Sequence, residues 1–324
     1  MNTHRPLVKD MHNLPTLKNA LNHKPILKWV GGKSQIIDSL IGEFPTEMNN
    51  YYELFLGGGS VLIALLTMVQ QGHIHLHGNV YAYDVNEALI YVYKNIQTQH
   101  NELYEQLQQV IIEYNDCIQG ELNRTPQNIQ EAKESKENFY YWIRSLYNKL
   151  TQEEKTTAYG SALFIFLNKT CFRGMFRTGP NGFNVPYGNY KNPEIMNKTH
   201  LDQIHNLIQG VQFECCDYRV ALQRISTDVN DYVYLDPPYF PETKTSFTGY
   251  TEKGFSLADH MDLFAGIHAL TEKNKKIMMS NADVGEVRGS FGESKYTIRS
   301  ILCKRAINSK NPDTKTNEVI ITNY

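Results

Sequence analysis

Cysteine is scarce in this chain, and its placement excludes two roles. There are five, and Cys117, Cys171, Cys215, Cys216 and Cys303 show neither a disulfide framework nor the paired spacing of a metal site. Reduced thiols in a reducing, cytoplasmic compartment are the expectation. Long apolar runs are missing as well. Nothing approaches the roughly 20 residues that span a bilayer, and no signal-peptide core opens the chain. Excess charge of one sign is also absent. A formal net charge of −2 makes no whole-protein case for a polyanionic partner, so any such case rests on a local patch. Neither internal repeats nor a full G-x-G-x-x-G dinucleotide fingerprint occurs. The alternation His73, His75, His77 could hold a metal, but it fits one face of a strand or an exposed loop better, and no metal is expected.

What is present describes a soluble enzyme. At 324 residues the chain buries a substantial core, and 41% hydrophobic with 20% charged residues is an ordinary balance for one large domain or two joined ones. The feature that organises it is Asp236-Pro237-Pro238-Tyr239, which follows the apolar, β-favouring run Tyr232-Val233-Tyr234-Leu235. That run reads as a buried parallel strand. Two prolines directly after it stop the ladder, since they donate no N–H and fix φ. The result is a stiff turn holding a carboxylate beside an aromatic ring at the sheet's carboxyl edge, where open α/β sheets bind ligands. A turn that only packs would need neither the acid nor the ring. The chemistry that needs both is methylation of an exocyclic amino group on a base. Asp236 and a carbonyl of the Pro-Pro segment accept hydrogen bonds from the NH2 and draw its lone pair out of conjugation. Tyr239 stacks on the extruded base.

Upstream, Met1 to about His23 is polar and reads as a loose extension. Pro25 to Val30 is a short apolar segment. Gly31-Gly32 turns the chain into a helix start, with Trp29 and Lys33 flanking a place where backbone can approach a ligand. Tyr51 to Leu56 is a strand pattern running into Gly57-Gly58-Gly59-Ser60, and Val61 to Val69 is helical. Strand, glycine turn and helix open a Rossmann-like unit. Three glycines suit a compact nucleoside cofactor with an amino-acid tail better than a pyrophosphate. Val80-Tyr81-Ala82-Tyr83-Asp84 is a second strand whose terminal acid stands where these folds bind a ribose. Glu87 to Leu167 is a helical insertion. Asn168 to Lys198 then carries five Lys or Arg against one acid, interleaved with five Phe or Tyr, around the hairpin signal Pro180-Asn181-Gly182. Such a hairpin has the size to enter a major groove. Val211 to Tyr218 resumes the sheet. Phe240 to Gly254 is a candidate lid, Lys276 to Asn281 a buried strand, and Tyr296 to Cys303 with Glu318 to Thr322 a closing hairpin whose basic loop could touch phosphates.

Taken together, the sequence resembles the Dam-type (D12 class, alpha group) DNA adenine-N6 methyltransferases from about Pro25 to Tyr324. The likeness rests on Lys28-Trp29-Val30-Gly31-Gly32-Lys33, Glu53-Leu54-Phe55-Leu56-Gly57-Gly58-Gly59-Ser60, Asn168-Lys169-Thr170-Cys171-Phe172-Arg173-Gly174, Phe183-Asn184-Val185-Pro186-Tyr187-Gly188 and Asp236-Pro237-Pro238-Tyr239, in this order. It implies an α/β fold: a Rossmann-like, mixed but mostly parallel sheet with helices on both faces, plus an inserted helical and β-hairpin target-recognition subdomain. Residues 24–92 and 200–324 would form the catalytic domain, residues 93–199 the recognition subdomain and residues 1–23 a flexible extension. S-adenosylmethionine is the implied methyl donor. Trp29, Gly32, Lys33 and Gly57 would line its site, with Glu53, Phe55, Gly59 and Ser60 from the same stretches. Asp84 would take its ribose, Asp217 and Tyr218 would sit near its adenine, and Asn86 and Asp236 would belong to the same site. Asp236, Pro237, Pro238 and Tyr239 would hold the target adenine. Double-stranded DNA would be met by Lys28, Arg173, Met175, Arg177, Asn181, Pro186, Tyr187, Tyr190 and Lys191, and by Arg305 and Asn308 of the last loop, in a monomer or weak dimer. The hairpin carries Thr178-Gly179-Pro180 after Arg177 where GATC-specific enzymes have Tyr-Asn, so GATC and CATG both stay open as the site. Cytosine-N4 or RNA-base methylation, and a non-catalytic DNA-binding relative, are the alternatives.

Overall fold

The computed structural model describes residues 23–241, 254–304 and 315–324. A seven-stranded sheet forms its centre: β1 (Tyr51–Glu53), β2 (Val80–Asp84), β3 (Val211–Cys215), β4 (Tyr232–Leu235), β5 (Lys276–Ala282), β6 (Thr297–Lys304) and β7 (Lys315–Thr322). Their order across the sheet is β6-β7-β5-β4-β1-β2-β3. From β3 to β5 every pairing is parallel, and β7 runs antiparallel to both β5 and β6. The predicted class, a mixed but mostly parallel α/β sheet, is the observed one.

Strand alternation divides the side chains between two cores. Tyr51, Tyr232, Tyr234 and Met278 point into one, while Tyr52, Val233, Leu235 and Met279 point into the other. Helices α6 (Tyr218–Arg224) and α7 (Leu257–Glu272) cover the second face. The first is covered by α1 (Ser60–Gln70), α2 (Glu87–Asn115), α3 (Lys136–Lys149), α4 (Ala158–Thr170) and α5 (Lys198–Leu207). Phe139, Tyr140, Phe164 and Phe166 of the helical insertion therefore share one continuous core with Tyr51 and Val80 of the sheet. Helix α2 also crosses the expected domain boundary at residues 92/93 and departs from helical backbone only at Gln99 (φ −139°, ψ 34°). The insertion is built onto the sheet by shared apolar burial.

The chain winds from β1 to one side and places β4 on the other, so the loops that follow these two neighbours diverge. A crevice opens at such a reversal of strand order. The opposite ends of the same strands are locked by a buried pair. Lys275 Nζ lies 2.9 Å from Asp231 Oδ2, with 2% and 0% of the two side chains exposed. The Asp231 carboxylate also accepts from Asn50 N–H (3.1 Å), Asn50 Nδ2 (2.9 Å) and Ser226 Oγ (2.7 Å). Among the described residues, no helix is long and apolar enough to cross a membrane.

Removing one member of this pair strands a buried charge. Lys275→Met is expected to cost about 3–5 kcal/mol in urea denaturation, and a second change, Asp231→Leu, to recover part of the loss.

Candidate active site

One cavity of about 880 Å³ opens at the divergence of the β1 and β4 loops, and both Tyr239 and the Gly57 bend line it. The glycine turn is shaped by close contact. Gly57 (φ 49°) sits so near Trp29 that an added Cβ would lie 3.1 Å from the indole Cδ1, and one on Gly58 would lie 3.0 Å from Trp29 Cβ. At Gly59 (φ 74°) a Cβ would fall 2.5 Å from the Tyr93 hydroxyl, which donates to Gly58 O at 2.6 Å. Gly59 thus shapes the turn from behind, where it packs against Tyr93. Asp84 closes the turn from the next strand: its carboxylate accepts from Gly57 N–H (2.9 Å) and Asn86 N–H (2.8 Å). Burial raises the Asp84 pKa, and these backbone donors oppose the rise. The Asn86 side chain is spent on capping α2, accepting from Leu89 N–H at 3.1 Å.

At the carboxyl end of β4 lies an ion pair that the sequence did not announce. Lys33 Nζ is 2.6 Å from Asp236 Oδ2, with 5% and 19% of the side chains exposed, and it donates to Gly31 O at 2.7 Å. The same ammonium stands 4.9 Å over the Tyr239 ring. Lys33, expected to line the cofactor site, does line the cavity, and there its ammonium is paired with Asp236. Burial pushes Asp236 up to about 6, while the Lys33 charge holds it down and Glu318 raises it. The Lys33 N–H meets Ser60 Oγ at 3.2 Å, joining the turn at Gly32 to the start of α1. Beneath them Glu53 is buried, accepts from the Tyr51 hydroxyl at 2.7 Å and is pushed up to about 8 by burial. On the far wall Phe55, Tyr218 and Phe255 form an aromatic box, with ring centroids 5.6 to 6.1 Å apart. Arg219, bonded to Asp262 (2.7 Å), Asp259 (2.5 Å) and Asp217 (3.4 Å), ties α6 to α7 beside it.

The expected DNA-contacting residues divide. Arg177 lines the cavity, its guanidinium donating to Asn184 Oδ1 (2.6 Å) and O (3.1 Å) across the small hairpin of Thr178–Gly179 with Gly182–Phe183. Arg173, Asn181, Pro186 and Lys191 are exposed on the same insertion. Lys28 stands 4.0 Å over the Tyr190 ring, and its backbone is clamped at both polar groups by the Asn168 amide (2.8 Å each). Gly174 (φ 62°) admits that contact, since a Cβ there would lie 2.3 Å from Lys28 Cβ. Met175 packs against the core. Tyr187 is turned inward: its hydroxyl meets that of Tyr114 at 2.7 Å and its ring packs on Tyr140, so its present contacts are structural. Arg305, Asn308, residues 242–253 of the candidate lid and residues 1–22 lie outside the described residues. His75 opens the two-residue strand His75–Leu76, which pairs with Glu47–Met48, and His73 and His77 lie on either side of it.

Four contributors went unnoticed in the sequence: Glu318, Phe255, Arg219 and the clamp Asn168. Only Asn168 carried a local signal, its place in a quoted motif.

The buried acids set a pH signature. Glu53 and Asp236 both have folded pKa values above those of free carboxyls, so the folded state holds more protons between about pH 4 and 8. Their effect is to lower stability as pH rises through that window. In urea denaturation at pH 5 and pH 8.5, Glu53→Gln is expected to flatten the decline relative to the unaltered chain, because the amide still accepts from Tyr51.

Comparison with known proteins identifies the family. The profile of the D12 class N6 adenine-specific DNA methyltransferase family matches residues 29–307. The chain is 34% identical to the type II methyltransferase M.MjaIII of Methanocaldococcus jannaschii over 93% of its own length and 99% of the relative's. It is 29% identical to a DNA adenine methylase of Haemophilus influenzae, over 92% of each chain. A DNA adenine methylase of Escherichia coli K12 is 25% identical, over 93% of this chain and 95% of its own. On these matches, the chain belongs to the D12 class of N6 adenine-specific DNA methyltransferases.

Proposed function

We propose that this protein transfers a methyl group from S-adenosylmethionine to N6 of an adenine extruded from a short duplex DNA site. The observation that carries the reading is the single cavity in which the Gly57 bend, Asp84 and the Asp236–Tyr239 corner face one another. The donor set fits the nucleoside. Gly57 and Gly58 pack so tightly on Trp29 that a Cβ would push the indole aside, and they form a cradle; Asp84 stands where such folds hold a ribose, and Phe55, Tyr218 and Phe255 offer a box for a purine. When bound, S-adenosylmethionine supplies an electrophilic methyl group on a sulfonium.

The protein's part is to position and to polarise. Asp236, paired with Lys33, is ionised at neutral pH and accepts a hydrogen bond from the adenine NH2, as does a carbonyl of the Pro237-Pro238 turn. Tyr239 provides the stacking surface, worth roughly 1–3 kcal/mol per base. No general base is needed before transfer, since the extra proton leaves afterwards. Recognition falls to residues 93–199, with Arg177 on the cavity rim and Lys28, Arg173 and Lys191 toward the phosphates. The site read is a four-base palindrome of the GATC or CATG kind, and the enzyme works as a monomer or weak dimer in the compartment that holds the DNA.

Single-molecule sequencing of plasmid from cells expressing the protein is expected to show N6-methyladenine in one short motif, and methylation confined to cytosine would refute the reading. Asp236→Ala should lower kcat by about 10³-fold, the scale of losing one preorganised polar group. Lys33→Gln removes the charge that holds Asp236 down, so the acid limb of kcat should move above pH 6.

A further inference from the structure

We propose that Glu318, on the last strand of the sheet, is a positioning residue that fixes the Tyr239 ring against the extruded base, a role that rests on the base-holding corner proposed above. Strand β7 sets Glu318 between Ala282 of β5 and Ile301 of β6. Its neighbours Val319 and Ile321 point into one core and Ile320 into the other. Alternation therefore puts Glu318 on the face that carries Tyr234 and Glu53. A carboxylate on such an apolar face needs donors. It has the Tyr239 hydroxyl at 2.7 Å, and it stands close to the buried Cys303 thiol, which burial and this carboxylate push up to about 12.

The consequence lies in how Tyr239 is held. Its backbone end is fixed by the Pro237-Pro238 turn and by the next residue, whose Phe240 N–H donates to Asn281 Oδ1 at 2.9 Å. Its tip is fixed by Glu318, and Lys33 stands 4.9 Å over the ring. A ring pinned at both ends loses little rotational freedom when a base stacks on it, which is what preorganisation requires. Glu318 acts electrostatically as well. Asp236 is faced by the Lys33 ammonium, the Glu53 and Glu318 carboxyls, and the Tyr234 and Tyr239 hydroxyls. Of these, Lys33 favours its ionised form and Glu318 opposes it.

Kinetics of E318A, E318Q, Y239F and the E318A/Y239F pair on duplex DNA, with S-adenosylmethionine affinity measured separately by equilibrium binding, test the assignment. E318A is expected to lose roughly ten- to hundredfold in kcat, the range for a charge-assisted hydrogen bond, with cofactor affinity unchanged. E318Q keeps an acceptor for the Tyr239 hydroxyl and should recover most of the rate. Its acid limb should move to lower pH, opposite to the Lys33→Gln shift. Y239F should resemble E318A, and the pair should be no worse than either alone. Wild-type kcat in E318A, or losses that add in the pair, would overturn the proposal. So would an E318Q acid limb that stays in place while stability falls, because that outcome marks a carboxylate serving only the closing hairpin. An unaltered protein that methylates no adenine would overturn the base-holding reading instead.

Discussion

The contact on which the site depends is the 2.6 Å pair between Lys33 and Asp236. Burial raises the pKa of the Asp236 carboxyl, and a neutral acid would be a poor acceptor in the proposed role of freeing the lone pair of an amino group. One ammonium at short range opposes that rise, and the group stands at about 6. The pair also joins two loops far apart in the sequence at the reversal of strand order, where β1 and β4 lie side by side. Chemistry and architecture are thus served by the same two atoms.

Much of the surrounding structure can be understood as what keeps Lys33 in place. Its N–H is tied to Ser60 at the start of α1, and its ammonium to Gly31 O. The segment that carries it is held by Asn168, which satisfies both backbone groups of Lys28 from α4. Helix α4 lies in the core shared by the insertion and the sheet, so the hairpin proposed to read DNA and the corner proposed to hold the base rest on one set of buried side chains. Apolar burial of Phe139, Phe164 and Phe166 places the insertion and the sheet-side residues in one contiguous core.

Electrostatics in the cavity follow from crowding acids in a dry place. Glu53, pushed up to about 8, carries its proton at neutral pH, whereas Asp236 beside Lys33 does not. Two carboxyls on neighbouring strands thereby hold different protonation states because their environments differ, which is how one site keeps an acceptor ionised without accumulating negative charge. Glu318 supplies a further acceptor, spent on the Tyr239 hydroxyl.

By itself the sequence determined the strand Tyr232–Leu235 and its proline stop, the strand ending at Asp84, the helix after the glycine turn, the small hairpin at Pro180-Asn181-Gly182 and the closing β6–β7 hairpin. These are local: period-two burial, proline chemistry and positive-φ glycines act within a few residues. Tertiary structure decided that Lys33 faces Asp236, that Tyr187 turns inward to Tyr114, that Asn168 clamps Lys28 and that Glu318 reaches Tyr239. Each of these contacts joins residues far apart in the chain and depends on strand order and helix packing. No pattern along the chain encodes which strand will be whose neighbour, because that choice minimises exposed apolar surface over the whole fold at once.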